Sequence, residues 1–263
     1  MTRLLAFYLP QFHEIPENNA WWGQGFTEWT NVRSARPRFP GHAQPKLPAG
    51  ENYYDLARPE VLREQARLAR EHGISGFIFY HYWFKGRRLL QTPLANLLAD
   101  QDCNLSFALC WANESWTRRW DGREDEVLIR QEYSQDDDLE HIRALLPVFR
   151  DQRYIKIADR PLLLLYRSEQ LPNAAATAAL WRREARAAGF PDLFLLRVES
   201  LTHGFDPADH GCDGAVEFAP DWRCLTRRVY PDSAAAGGWT DTPGAATGAG
   251  ARENKIYLYD EVV

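Results

Sequence analysis

Leu4-Leu5-Ala6-Phe7-Tyr8-Leu9-Pro10-Gln11-Phe12-His13 is the stretch that decides the fold. Its first half is short and almost continuously apolar, the pattern of a strand buried on both faces of a parallel sheet. Its second half separates two kinds of parallel sheet. A dinucleotide-binding sheet follows its first strand with G-x-G-x-x-G, and Leu9-Pro10-Gln11-Phe12-His13 cannot cradle a pyrophosphate in that way. The segment instead places Tyr8, Gln11 and His13 near the end of the strand.

Five further runs share the strand-length apolar character: Gly76–Trp83, Leu105–Trp111, Pro161–Tyr166, Leu193–Val198 and Gly214–Phe218. Helices with legible ends lie between them. Pro59 opens one and Gly73 closes it, with Val61, Leu62, Ala66 and Ala69 as its apolar stripe and Leu68 at the edge. Asp136, Asp137 and Asp138 load the start of another with charge that suits its dipole. Asn173 can cap a third, which runs through Leu180, Trp181 and Ala185 to Gly189. Strands alternating with helices give an α/β fold, and polar and aromatic residues gather where several strands end, as in barrel enzymes. The expectation is a (β/α)8 TIM-type barrel that is incomplete, with about six of eight strands, forming a single partial domain over 1–263. Segments 13–58 and 112–135 read as substrate-facing loops, and the low-complexity stretch 233–251 as a mobile surface loop.

Composition narrows the function classes. The chain has 263 residues, 31 basic against 36 acidic, a net charge of -5 and a pI near 5.8. That balance argues against reading a nucleic-acid backbone. Hydrophobic residues make up 45% and charged residues 25%, the proportions of a folded globule. No run approaches the ~20 apolar residues of a membrane span, and the N-terminal apolar run is too short for a signal peptide, so a cytoplasmic protein is expected. Cys103, Cys110, Cys212 and Cys224 form no C-x-x-C pair and have no matching His pair nearby, so they read as reduced thiols. No metal or cofactor is expected. The excess lies in aromatics, at 13% with 10 Trp, and Trp beside polar residues is a surface that stacks sugar rings.

Three constellations carry possible chemistry. Cys110-Trp111-Ala112-Asn113-Glu114-Ser115-Trp116-Thr117-Arg118-Arg119-Trp120-Asp121-Gly122 follows a strand and mixes ring faces with planar polar groups, as a sugar site requires. Trp111, Asn113, Trp116, Arg119, Trp120 and Asp121 are its candidate contacts, and Glu114 its candidate catalytic carboxylate. A surface loop with a Trp–Arg stack is the plainer alternative. Gly76-Phe77-Ile78-Phe79-Tyr80-His81-Tyr82-Trp83-Phe84-Lys85-Gly86 alternates, with Phe77, Phe79 and His81 on one side and Ile78, Tyr80 and Tyr82 on the other. Tyr80, His81, Tyr82 and Trp83 are candidates there, although a lone His is often structural. In Trp21-Trp22-Gly23-Gln24-Gly25-Phe26-Thr27-Glu28-Trp29-Thr30-Asn31, Glu28 and Trp29 either form a rim over the barrel mouth or belong to a self-packed loop. Glu217, ending the sixth strand, is either an ion-pair member or a site residue.

The motifs Phe7-Tyr8-Leu9-Pro10-Gln11-Phe12-His13, Gly25-Phe26-Thr27-Glu28-Trp29-Thr30-Asn31-Val32, Tyr53-Tyr54-Asp55-Leu56 and Trp111-Ala112-Asn113-Glu114 resemble the glycoside hydrolase family 99-like proteins. The closer resemblance is to their WbsX-type branch, found with bacterial surface-polysaccharide (O-antigen and lipopolysaccharide) biosynthesis and often labelled glycosyltransferase. It covers nearly the whole chain. It implies a barrel with a sugar site at the strand C-termini, and kinship with endo-α-mannosidases that use two carboxylates in a substrate-assisted retaining route. Family members carry both carboxylates in a later Asn-Glu-Trp-x-Glu-Gly segment, whereas this chain ends at Asp260-Glu261-Val262-Val263 and its only Glu-Trp is Glu28-Trp29. The expectation is therefore a C-terminally truncated member whose catalytic pair lies in a further segment or fused domain.

The function expected is glycoside hydrolysis or glycosyl transfer on an oligosaccharide or polysaccharide, with no nucleic-acid partner. Two rivals stand beside it. One is a non-catalytic glycan-binding module that keeps the stacking surface. The other is a nucleotide-sugar-dependent glycosyltransferase, against which the only Asp-rich run, Asp136-Asp137-Asp138, is assigned to a helix start.

Overall fold

β1 (Leu5–Tyr8) is followed by three helices, α1 (Pro16–Trp22), α2 (Glu28–Ser34) and α3 (Pro59–Glu71), before β2 (Gly76–Phe84) returns alongside it. The chain continues through β3 (Arg87–Leu89), α4 (Thr92–Ala99) and β4 (Ser106–Trp111), then a hairpin of β5 (Trp116–Arg118) and β6 (Arg123–Ile129). It goes on through α5 (Gln135–Phe149), β7 (Lys156–Ile157), β8 (Arg160–Leu165), α6 (Ala174–Ala187), β9 (Phe194–Glu199) and β10 (Gly214–Glu217). This computed structural model describes residues 3–37, 42–118, 123–199 and 204–218.

Six strands pair in parallel in the order β1-β2-β4-β8-β9-β10. Among the described residues spatial order follows chain order without reversal, so these six strands have no topological switch point and are not doubly wound. It is also strongly curled. Six strands laid flat would separate the outermost two by about 24 Å, from five gaps of ~4.8 Å. Yet Phe7 on β1 and Phe218, just past β10, meet with ring centroids 5.4 Å apart. Tyr80 and Tyr166 complete a ring of four aromatics inside the curve, with Phe7–Tyr80 at 5.6 Å, Tyr80–Tyr166 at 5.7 Å and Tyr166–Phe218 at 5.9 Å. The result is a half-barrel with a filled interior, the incomplete barrel expected from the six runs, each of which covers one of these strands to within a residue.

The two faces of the sheet divide by strand parity. On β2, Tyr80 and Tyr82 point to the concave side, while Phe79 packs on Phe107 of β4 and His81 and Trp83 meet His141 of α5. The close approach of β2 and β4 depends on Gly76, where a Cβ would stand 2.4 Å from the Ser106 carbonyl oxygen. Outside the sheet, α5 and α6 bury Trp83, Trp111, His141 and Trp181 together.

The helix ends follow the sequence signals, with one addition. Ser134 caps α5 by accepting from the Asp137 N–H at 3.1 Å, and Asn173 caps α6 by accepting from Ala176 at 3.0 Å. The acidic start of α5 does more than complement a dipole. Asp137 accepts from Trp83 Nε1 at 2.9 Å and Asp138 from the Thr177 hydroxyl at 2.6 Å, so both carboxylates are buried tertiary contacts.

The expected loops are more structured than their composition suggests. Segment 112–135 contains the β5–β6 hairpin, and 13–58 contains α1 and α2. Among the described residues no helix is long and apolar enough to cross a membrane.

Candidate functional site

Where β1, β2, β4 and β8 end, a cleft with a cavity volume of about 610 Å³ opens on the concave side of the sheet. Leu9 and Gln11 reach it from beyond β1, Tyr80 and Tyr82 from β2, Ala112, Glu114 and Ser115 from beyond β4, and Tyr166 and Gln170 from beyond β8. The hairpin supplies Trp116, Thr117 and Leu128, and the first two helices supply Asn18, Trp21, Trp22 and Glu28. Glu28 and Glu114 are the only Asp, Glu, His, Lys or Arg side chains among these lining residues.

Glu114 is held from the neighbouring strand end. Arg167 Nη1 donates to its Oε1 at 2.9 Å, and Arg167 Nε donates to Glu169 at 2.5 Å. Asn113, fully buried, fixes that arginine's backbone. Its Oδ1 accepts from the Arg167 N–H at 2.9 Å, and its Nδ2 donates to the Arg167 carbonyl at 2.9 Å. Tyr133 in turn donates to the Asn113 carbonyl at 2.8 Å. Burial pushes the Tyr133 phenol up to about 12, so it remains a donor. The Asn113–Arg167 clamp therefore sets where the Glu114 carboxylate can sit.

Glu28 has a different environment. It begins α2, whose entry is fixed by reciprocal bonds between Thr27 and the first turn. Trp29 anchors the same turn, with Nε1 donating to the Tyr54 carbonyl at 2.8 Å and its ring packed on Phe12 at 4.7 Å. Burial pushes the Glu28 carboxyl up to about 7, against a smaller lowering by an Asn31 side-chain hydrogen bond. Between the acids stands Tyr82, whose hydroxyl accepts from Gln11 Nε2 at 2.8 Å. Burial raises the Tyr82 phenol, and both Glu28 and Glu114 add to that rise.

The aromatic wall is a packed unit. Trp116 stands edge-on to Tyr82 at 5.2 Å, to Phe84 at 5.6 Å and to Trp21 at 5.9 Å. Arg118, ion-paired with Glu126, lies over the Trp22 ring at 5.3 Å.

Of the residues singled out in the sequence, Gln11, Glu28, Tyr80, Tyr82, Glu114 and Trp116 line the cleft together. Tyr8 faces the helical side, where its hydroxyl donates to Gln65 at 2.5 Å and its ring stacks on Phe77 at 4.8 Å. His81, Trp83 and Trp111 also lie on that side, with His81 Nε2 3.0 Å from His141 Nε2. His13 is buried and does not line the cleft. Trp29 and Asn113 support Glu28 and Glu114 without lining the cleft. Glu217 is exposed on β10, and Arg119, Trp120 and Asp121 lie outside the described residues, as do Cys224 and 233–251. Cys103, Cys110 and Cys212 are free and buried. Tyr166, Arg167 and the α1 tryptophans were not singled out. Tyr166 directly follows the fourth parallel strand, so the strand-end rule applied to Glu114 would have reached it.

The sequence profile of the WbsX glycosyltransferase family matches residues 4–263. The chain belongs to that family. A curated relative, the uncharacterized protein WxcX of Xanthomonas campestris pv. campestris, is 53% identical over 218 residues. That match covers 83% of this chain and 31% of WxcX, so the chain spans about a third of the relative's length. Among solved structures, the GH99 endo-alpha-mannosidase from Bacteroides thetaiotaomicron is similar with a TM-score of 0.50 at 14% identity, over 81% of this chain and 60% of that one. A glycoside hydrolase-like protein follows with a TM-score of 0.49 at 12% identity, over 82% of this chain and 58% of that one. At that identity the mannosidase likeness shows a shared fold, here the curled parallel sheet. Among the described residues no group of His, Cys, Asp or Glu side chains is arranged to hold a metal ion.

Proposed function

We propose that the cleft binds a glycan and that this chain is the carbohydrate-recognising part of a protein acting in bacterial surface-polysaccharide biosynthesis. The observation that carries the reading is the lining itself: Trp21, Trp22, Trp116 and three tyrosines beside two carboxylates. Aromatic faces stack on the apolar faces of sugar rings, and carboxylates and amides meet the hydroxyls at their edges. Membership of a glycosyltransferase family supports the same class. No lysine or arginine is among the described lining residues, which favours an uncharged glycan over a nucleotide sugar whose diphosphate would need a cation. α-Mannosides are the first ligands to try, since the similar fold from Bacteroides thetaiotaomicron belongs to an endo-alpha-mannosidase.

Glu114 acts in this reading as an oriented acceptor for a sugar hydroxyl. Arg167 occupies one of its oxygens and leaves the other for ligand. Oligomannose and surface-polysaccharide fragments titrated against the protein, followed by tryptophan fluorescence, test the reading. Trp116→Ala should weaken binding by about 1–3 kcal/mol, the usual cost of removing an aromatic anchor. Glu114→Gln should weaken it moderately. Binding unchanged in both variants removes the cleft from consideration and leaves the tryptophans as packing.

A further inference from the structure

We propose that Glu28 is the hydrogen-bond donor of the cleft to an acetal oxygen of the bound glycan, with Glu114 accepting from a sugar hydroxyl. This rests on the glycan reading above and adds to it a division of labour between the two acids. A glycan presents two kinds of oxygen. Hydroxyls donate and accept, while ring and glycosidic oxygens only accept, so a site that reads a linkage needs a donor at that point.

The partners of the two carboxyls differ in the way that division requires. Glu114 is ion-paired with Arg167, which suits an acceptor. Glu28 has no cation partner among the described residues, and the Asn31 side chain on its own helix hydrogen-bonds to it. The groups around it from other elements are Gln11 beyond β1, Tyr82 on β2 and Glu114 beyond β4, and none of these is a cation. A partly buried acid facing only neutral or acidic groups keeps its proton more readily, consistent with burial raising it to about 7. Tyr80 and Tyr82, both raised by burial, stay protonated through neutral pH. Two acids in one cleft whose surroundings push them apart are the usual basis for giving one a donating and the other an accepting role. The rigid start of α2 holds Glu28 in place for it.

The test is the pH dependence of glycan affinity between pH 5.5 and 8.5, using an oligomannose and a surface-polysaccharide fragment. If only the protonated form donates, a midpoint near 7 weakens apparent affinity about 30-fold over that range. Glu28→Gln, whose amide still donates, should flatten the profile at its high-affinity end. Glu28→Ala should flatten it at the low-affinity end. Carboxyl carbon NMR on the unmodified protein reads the midpoint directly and keeps the test decisive if either variant fails to fold. A pH-independent wild type, a Glu28→Gln variant as pH-dependent as wild type, or a carboxyl titrating near 4.5 overturns the donor role and leaves the glycan reading standing. Absence of binding by either probe at every pH overturns the glycan reading, and the donor role falls with it.

Discussion

The buried imidazole pair behind the sheet should make this protein acid-sensitive well above the pH at which carboxylates protonate. His81 Nε2 and His141 Nε2 lie 3.0 Å apart, so one nitrogen must donate and the other accept, and the two rings cannot both be protonated. Trp83 stacks on His141 with centroids 4.8 Å apart, and Trp111 and Trp181 stand edge-on to it at 4.7 and 5.4 Å. Desolvation lowers His81 to about 3 and takes His141 well below its ordinary value, with Arg88 pushing in the same direction. Lowered folded-state values mean that the unfolded chain binds more protons below about pH 6.5. Stability is therefore present above that pH and is lost as pH falls. At pH 5 an unfolded histidine gains about 2 kcal/mol by protonating, so the pair costs the fold about 4 kcal/mol relative to pH 7.5. Against a total stability of about 5–15 kcal/mol that is a large fraction. Glu28 works in the opposite sense. Its raised value gives stability that is fully present below about 4.5 and is lost as pH rises through about 7, so the raw pH profile mixes two signs. The informative measurement is a difference. Urea midpoints of wild type and His81→Leu/His141→Leu, each at pH 7.5 and pH 5, isolate the pair, because leucine cannot titrate and has similar volume. The variant should gain about 4 kcal/mol on wild type between the two pH values. A gap that stays constant would show that the imidazoles are not the acid-sensitive element.

Other perturbations read the same framework. Trp181→Ala empties a fully buried position and should cost about 3–5 kcal/mol in urea unfolding. Gly76→Ala forces a Cβ against the Ser106 carbonyl at 2.4 Å, and should lower stability by about 1–3 kcal/mol in thermal unfolding. Arg153 donates to the carbonyls of Leu97, Asp100 and Cys103 at 2.8, 2.6 and 2.9 Å. Arg153→Met should cost about 1–3 kcal/mol through acceptors left unpaired. Cys110, wholly buried with its thiol raised, should resist alkylation in the native protein and label once urea unfolds it, by intact-mass measurement.

The sheet was legible because its central strands β2, β4 and β8 are buried on both faces, so each appears as a nearly uninterrupted apolar run whatever its neighbours do. Helix ends were legible for an equally local reason, as Pro59, the Asp136–Asp138 run and Asn173 act within one turn. The hairpin at Trp116–Ile129 was not, because its strands are short, charged and exposed, and composition alone cannot tell such strands from a loop. The tertiary duty of Asp137 and Asp138 was hidden by the dipole explanation. Charge at a helix start already has a sufficient local cause, and the partners Trp83 and Thr177 are far away in sequence.

The site divides along the same line between local and non-local information. Alternation on β2 correctly separates Tyr80 and Tyr82 from His81, but alternation alone cannot say which set faces the cleft. That choice is made by what each side meets. Tyr80 stacks on Phe7 and stands edge-on to Tyr166 inside the curve, whereas His81 finds a second histidine on α5. Trp111 and Glu114 show the same split within one motif, the tryptophan turned to the helices and the carboxylate to the cleft. A motif rich in Trp, Asn and Glu is therefore partly a packing device. The Asn113 side chain bonds to Tyr133 and to both backbone groups of Arg167, and through Arg167 it fixes Glu114. The buried half of the motif builds the platform from which its exposed half can act, so substituting Asn113 should shift Glu114 even though Asn113 lies outside the cleft.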